Sequence, residues 1–169
     1  MSGYLLSMAL FALATSATPG PVNIISAMSG ARFGLWRSQP YVQGATLSFV
    51  AILLLFGLGL GSVMPIIQRH ALLITLAGSA WLLWLAWQIT SDRSTLALDG
   101  TQDQCPGFIQ GFMTQTLNPK AWTVALSAIS VHVGPHPDAD QRLIVLSLTY
   151  YLICALSLSA WALIGAQLS

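Results

Sequence analysis

Charge is what this sequence has least of. Only 7% of its 169 residues are charged, with five Asp, no Glu, five Arg and a single lysine, Lys120. A domain surrounded by water needs a larger charged surface, and 55% of these residues are hydrophobic. The composition therefore reads as an integral membrane protein, an all-α polytopic helix bundle in the lipid bilayer. A net charge of +1 without any basic run excludes the electrostatic footprint that nucleic-acid binding requires. Cysteine is scarce too: Cys105 and Cys154 are far apart and form no CxxC or metal-spaced pair, which argues against a thiol relay or metal site. Cys154 is expected to be a small apolar packing residue in a late helix. The spans lack paired aspartates, so intramembrane hydrolysis has no carboxylate machinery, and neither an enzyme nor a cofactor is expected. Residues 1–4 carry no Lys or Arg, and the apolar run continues to Ala31, so the N-terminus reads as a retained span rather than a signal peptide.

What is present is a series of long uncharged runs. About twenty apolar residues cross a bilayer core. By that measure five spans are expected, at residues 4–31, 41–64, 71–90, 107–132 and 143–166. Residues 92–106 read as a water-exposed loop that divides a first repeat, 1–91, from a partial second repeat, 107–169. Gly57 and Gly61 form a small-xxx-small pair suited to close helix approach. Trp81, Trp84 and Trp87 share one broad helix face, suited to packing or an interfacial belt more than to stacking a ligand. His70, His132 and His136 fall at span ends or in loops, where solvated histidine is the default. Arg32, Arg37 and Arg93 fall on one side against Arg69 and Arg142 on the other, a slight bias toward a cytoplasmic first loop.

Two interruptions organise these runs. Thr18-Pro19-Gly20-Pro21-Val22-Asn23 sits in the middle of the first uncharged run, where proline removes a helical donor and clashes with the preceding turn. Leu117-Asn118-Pro119-Lys120 repeats the feature inside the fourth run. Broken backbone survives in hydrocarbon only where neighbours cover it or where it lines a polar space. Paired interruptions in corresponding places point to a transporter's binding site, and three spans per half would invert the second half relative to the first.

At these motifs the sequence resembles the lysine exporter (LysE/RhtB) family of bacterial amino-acid exporters. The family's T-P-G-P-x-N matches Thr18 to Asn23, and its G-F-x-x-x-x-L-N-P-K matches Gly111-Phe112-Met113-Thr114-Gln115-Thr116-Leu117-Asn118-Pro119-Lys120. The third span, from Gly78 to Trp87, is closest to the branch that exports cysteine and O-acetylserine. The resemblance implies a multi-pass protein of the bacterial inner membrane that exports a small amino acid. Two departures stand out: many members have Asn where this chain has Val22, and the family has six hydrophobic segments where five are counted here. A truncated, non-transporting member is the alternative reading. A partner subunit, such as a second copy in a homodimer, is another way to supply the missing surface.

The expected solute-binding residues are Pro19, Gly20, Pro21, Asn23, Asn118, Pro119 and Lys120. An amino acid is a zwitterion, and a broken helix offers both complements: free amides after the break for the carboxylate, freed carbonyls before it for the ammonium. Lys120 is the only charged residue inside a span, where an unpaired cation costs about 2.5 to 3.5 kcal/mol on insertion scales. It either faces the cavity to receive a carboxylate, or snorkels and binds carbonyls at a helix terminus. Asn23 and Asn118 either contact the solute or stitch the broken backbone. Without an intramembrane Asp or Glu, a small neutral amino acid fits better than lysine or arginine.

Overall fold

The computed structural model describes residues 2–59, 69, 70, 72, 73, 76, 78–81, 83, 84, 87, 105–134 and 136–168. Gly61 and nearly all of the 92–106 loop lie outside the described residues, and the described part of the third expected span, including Trp81, Trp84 and Trp87, is helical. Six helices carry the rest: α1 (Ser2–Ala17), α2 (Pro21–Phe33), α3 (Gln39–Gly57), α4 (Phe108–Thr116), α5 (Pro119–His132) and α6 (Ala139–Leu168). The chain is an all-helical, multi-pass membrane protein. Helices α3 and α6 are each long and apolar enough to cross a bilayer, and α1 with α2, bent by 63° at the break, passes as one further span.

The prolines begin helices here. Pro21 and Pro119 each occupy the first turn of their helix, where no N–H is required and the fixed φ suits entry, and Pro40 does the same in α3. What the sequence shows as one long fourth run is therefore two short helices, α4 and α5, of 9 and 14 residues. Gly34 ends α2 at φ 80°, a conformation that favours glycine.

Packing among these helices relies on small residues, because lipid gives apolar side chains no reason to prefer protein. A Cβ at Gly30 would overlap Ala162 O, and one at Gly165 would overlap Ala27 O, so α2 and α6 meet backbone to backbone. Gly44 against Phe108 O and Gly111 against Tyr41 O join α3 to α4 in the same reciprocal way. Gly57 closes on the Leu143 side chain, so half of the expected small-residue pair serves a helix contact. Helix α6 runs against α1, α2 and α3, while α3 also covers α4 and α5.

Two buried clusters result. The larger holds Met8, Ala12, Phe49, Leu53, Ala125 and Leu146; the smaller holds Val22, Ile25, Tyr41, Ala45, Cys154 and Leu158. Ile144, Leu148, Leu152 and Leu156, spaced by four on α6, stay exposed on the outer side, as a lipid-facing stripe should. At the α5–α6 connector Arg142 Nε donates to Asp138 Oδ1 at 2.8 Å, and its guanidinium lies over the Tyr4 ring. His132 departs from the solvated default: it is buried, edge-on to Phe11. His70 and His136 are exposed.

Candidate solute-binding site at the two helix breaks

Each break frees backbone groups that water cannot reach in hydrocarbon, and their partners define the site. At the end of α1 four consecutive carbonyls are taken by side chains. Thr18 Oγ1 donates to Thr15 O at 3.1 Å, Asn23 Nδ2 to Ser16 O at 2.8 Å, Trp161 Nε1 to Ala17 O at 3.3 Å and Lys120 Nζ to Thr18 O at 3.1 Å. Lys120 Nζ also donates to Thr18 Oγ1 at 2.8 Å. The two interruptions are thus adjacent, and Lys120 reaches from one to the other.

The second break closes on itself. Leu117 N donates to Met113 O, Asn118 N to Gln115 O and Trp122 Nε1 to Thr116 O at 2.7 Å. Asn118 caps α5, its Oδ1 accepting from Lys120 N at 3.1 Å, while its Nδ2 donates to Gln115 Oε1 at 3.3 Å. Both structural uses expected for the asparagines therefore hold.

The start of α2 differs. Gly20, its N-cap, has no side chain to cap it, Pro21 has no N–H, and the first intrahelical donor is Ile24, to Gly20 O. Among the described residues the Val22 and Asn23 amides have no acceptor. Val22 and Asn23 line a small cavity of about 40 Å³, together with Gly20, Asn118 and Lys120. A Cβ on Gly20 would stand 3.5 Å from Lys120 Nζ, so the ammonium lies beside the uncapped helix end. Bare amides, the positive end of the α2 dipole and a lysine converge there: an anion receptor. Lys120 lines the cavity and also holds the Thr18 carbonyl and hydroxyl, the second of the uses expected for it.

Of the seven expected residues these four reach the cavity. Pro19 and Pro21 line an outer apolar cleft with Ile24 and Leu83, and Pro119 lines another with Gly78 and Leu117, so the prolines shape the break from behind. Sequence reasoning missed Thr15, Phe49, Gln115 and Tyr150 in the lining. Thr15 Oγ1 and Tyr150 OH pair at 3.1 Å, and with Asn23 Oδ1 and Gln115 Oε1 they offer neutral oxygen acceptors. Among the described residues none in the lining is acidic. Gln115, a polar residue inside an apolar run, was the available signal; Tyr150, in a Tyr pair on a long apolar helix, gave none. Cys154, expected as packing, is buried and also forms part of the cavity wall.

The match to known proteins agrees with this architecture. The family model for LysE type translocators matches residues 13–168. The chain belongs to that family. A cysteine/O-acetylserine efflux protein of Escherichia coli O157:H7 is 31% identical over 156 residues, covering 92% of this chain and 78% of the relative. The cysteine/O-acetylserine efflux protein of Escherichia coli strain K12 matches with the same identity and coverage. No solved structure matches. A LysE type translocator is a transporter of amino acids or related metabolites and not an enzyme.

Proposed function

We propose that the protein exports a small neutral amino acid or related metabolite across the bacterial inner membrane as a secondary transporter, binding it in the cavity between the two breaks. The observation that carries this reading is the uncapped start of α2 facing Lys120 Nζ. The solute carboxylate sits against the Val22 and Asn23 amides and the Lys120 ammonium. Its ammonium is received by neutral oxygens, among them Asn23 Oδ1 and the Thr15–Tyr150 pair. A second cation on the solute would find no carboxylate there, which favours zwitterions of the size of cysteine or O-acetylserine over lysine or arginine.

Inside-out membrane vesicles containing the protein, energised and offered radiolabelled cysteine, O-acetylserine, serine or lysine, test this directly. Uptake of the neutral amino acids above that of empty vesicles, lost in Lys120→Met and Asn23→Ala, is the expected result. Equal uptake with and without the protein, or preference for lysine, would refute it.

A further inference from the structure

Buried polar groups continue away from the cavity on one side. Among the described residues five buried side-chain atoms have no hydrogen-bond partner: Ser26 Oγ, Tyr41 OH, Thr46 Oγ1, His132 Nε2 and Ser147 Oγ. Ser26, Tyr41 and Thr46 are all 0% exposed and stand on or beside the cluster of Val22, Ile25, Tyr41, Val42, Ala45, Cys154 and Leu158 that continues from the cavity wall. Thr46 faces the Cys154 thiol, and the Tyr41 hydroxyl faces Thr114 on α4, neither meeting its neighbour in hydrogen-bond geometry.

The polar character continues outward from there. One turn beyond Ser26, Ser29 Oγ pairs with Ser38 Oγ at 2.8 Å and lies 3.6 Å from Cys105 Sγ. Cys105 Sγ in turn donates to Arg37 O at 3.0 Å, at the exposed Gly34–Ser38 turn. Hydroxyls buried in a membrane protein without partners are not a packing solution, because each forfeits its hydrogen bonds. Grouped hydroxyls between a polar cavity and a polar surface turn are what water needs in order to enter. Ser147 and His132 adjoin instead Leu146 and Val133 of the larger, apolar cluster.

We propose that Ser26, Thr46 and Tyr41 line a hydrated passage between α2, α3 and α6 that joins the cavity to the membrane face carrying the Gly34–Ser38 turn, and that solute moves through it. The passage rests on the reading of the cavity as the solute site. It makes Ser26 and Thr46 pathway residues, separate from the groups that bind the carboxylate.

The test uses single-cysteine variants of the full chain, Ser26→Cys, Thr46→Cys and Asn23→Cys, each in a background with Cys105→Ser and Cys154→Ser. The probe is a charged, membrane-impermeant methanethiosulfonate applied from either face of sealed vesicles. Thiols react as thiolates and only where water reaches them, so Ser26→Cys and Thr46→Cys are expected to label about tenfold or more faster than the lipid-facing Leu152→Cys. They should do so from the face of the Gly34–Ser38 turn alone. Labelling of Asn23→Cys but of neither Ser26→Cys nor Thr46→Cys would overturn the passage and leave the cavity standing. Labelling at none of the three would remove both. A second measurement guards against misfolded variants: Ser26→Ala and Thr46→Val should slow export several-fold if hydrated, whereas a thermal midpoint raised with export unchanged would mark the hydroxyls as dry and overturn the proposal.

Discussion

Replacing Lys120 with Met separates the two tasks of this side chain. In the folded protein Nζ holds Thr18 O and Thr18 Oγ1, at 3.1 and 2.8 Å. Thr18 is exposed, so water replaces those bonds, and the stability lost should stay near 1 kcal/mol. Removing a cation from an apolar span gains back part of the roughly 2.5 to 3.5 kcal/mol that its insertion costs. The two effects oppose each other, and the thermal midpoint in detergent should move little. Transport has no such compensation. A hydrogen bond between charged partners is worth about 1.5 to 3 kcal/mol, so losing it should raise the half-saturating solute concentration by about 10- to 150-fold. Uptake into inside-out vesicles measures this, with Lys120→Arg between the two because its planar guanidinium keeps the charge but not the ammonium's shape. Unchanged half-saturation in Lys120→Met would show that the lysine is a staple only. A collapse of the thermal midpoint parallel to the loss of uptake would refute the separation of roles.

Other perturbations reach different parts of the structure. Gly111→Ala places a methyl on Tyr41 O across the α3–α4 contact and should destabilise by about 1 to 3 kcal/mol in detergent melting, whereas Gly3→Ala, which meets nothing within 4 Å, should not. Asn118→Ala removes the cap of α5 and should cost about 1 kcal/mol, restored by Asn118→Ser. The Arg142 hydrogen bond holds the Asp138 carboxyl below its ordinary value. Its contribution to stability is therefore complete above the ordinary carboxylate pKa and fades as pH falls through the lowered one; the melting difference between the protein and Asp138→Asn should be present at neutral pH and vanish in acid.

How far these features could be read in advance depended on whether they were local. Proline chemistry made both breaks visible, and Lys120 announced itself as the sole cation in any span. Asn23 and Asn118 were visible as polar residues beside those breaks, with their structural role correctly weighed. Span counting gave the bundle, and the break at Asn118-Pro119 divided the fourth run where α4 gives way to α5. The indoles of Trp122 and Trp161 complete the broken ends, and Tyr150 meets Thr15 across 135 positions of sequence. Those contacts follow from how α6 crosses α1 and α2, which the glycine contacts set and no local pattern encodes. His132 misled for the same reason: a helix end is exposed only if nothing covers it, and Phe11 from α1 does.

The last four carbonyls of α1 are secured from Thr18, from α2, from α5 and from α6. A joint fastened to three other helices at once has little independent movement: turning any one of them strips a bond from it. Any rearrangement of these helices during transport should then be shared among them, and a variant that loosens one fastening should raise leak across the membrane instead of merely slowing uptake.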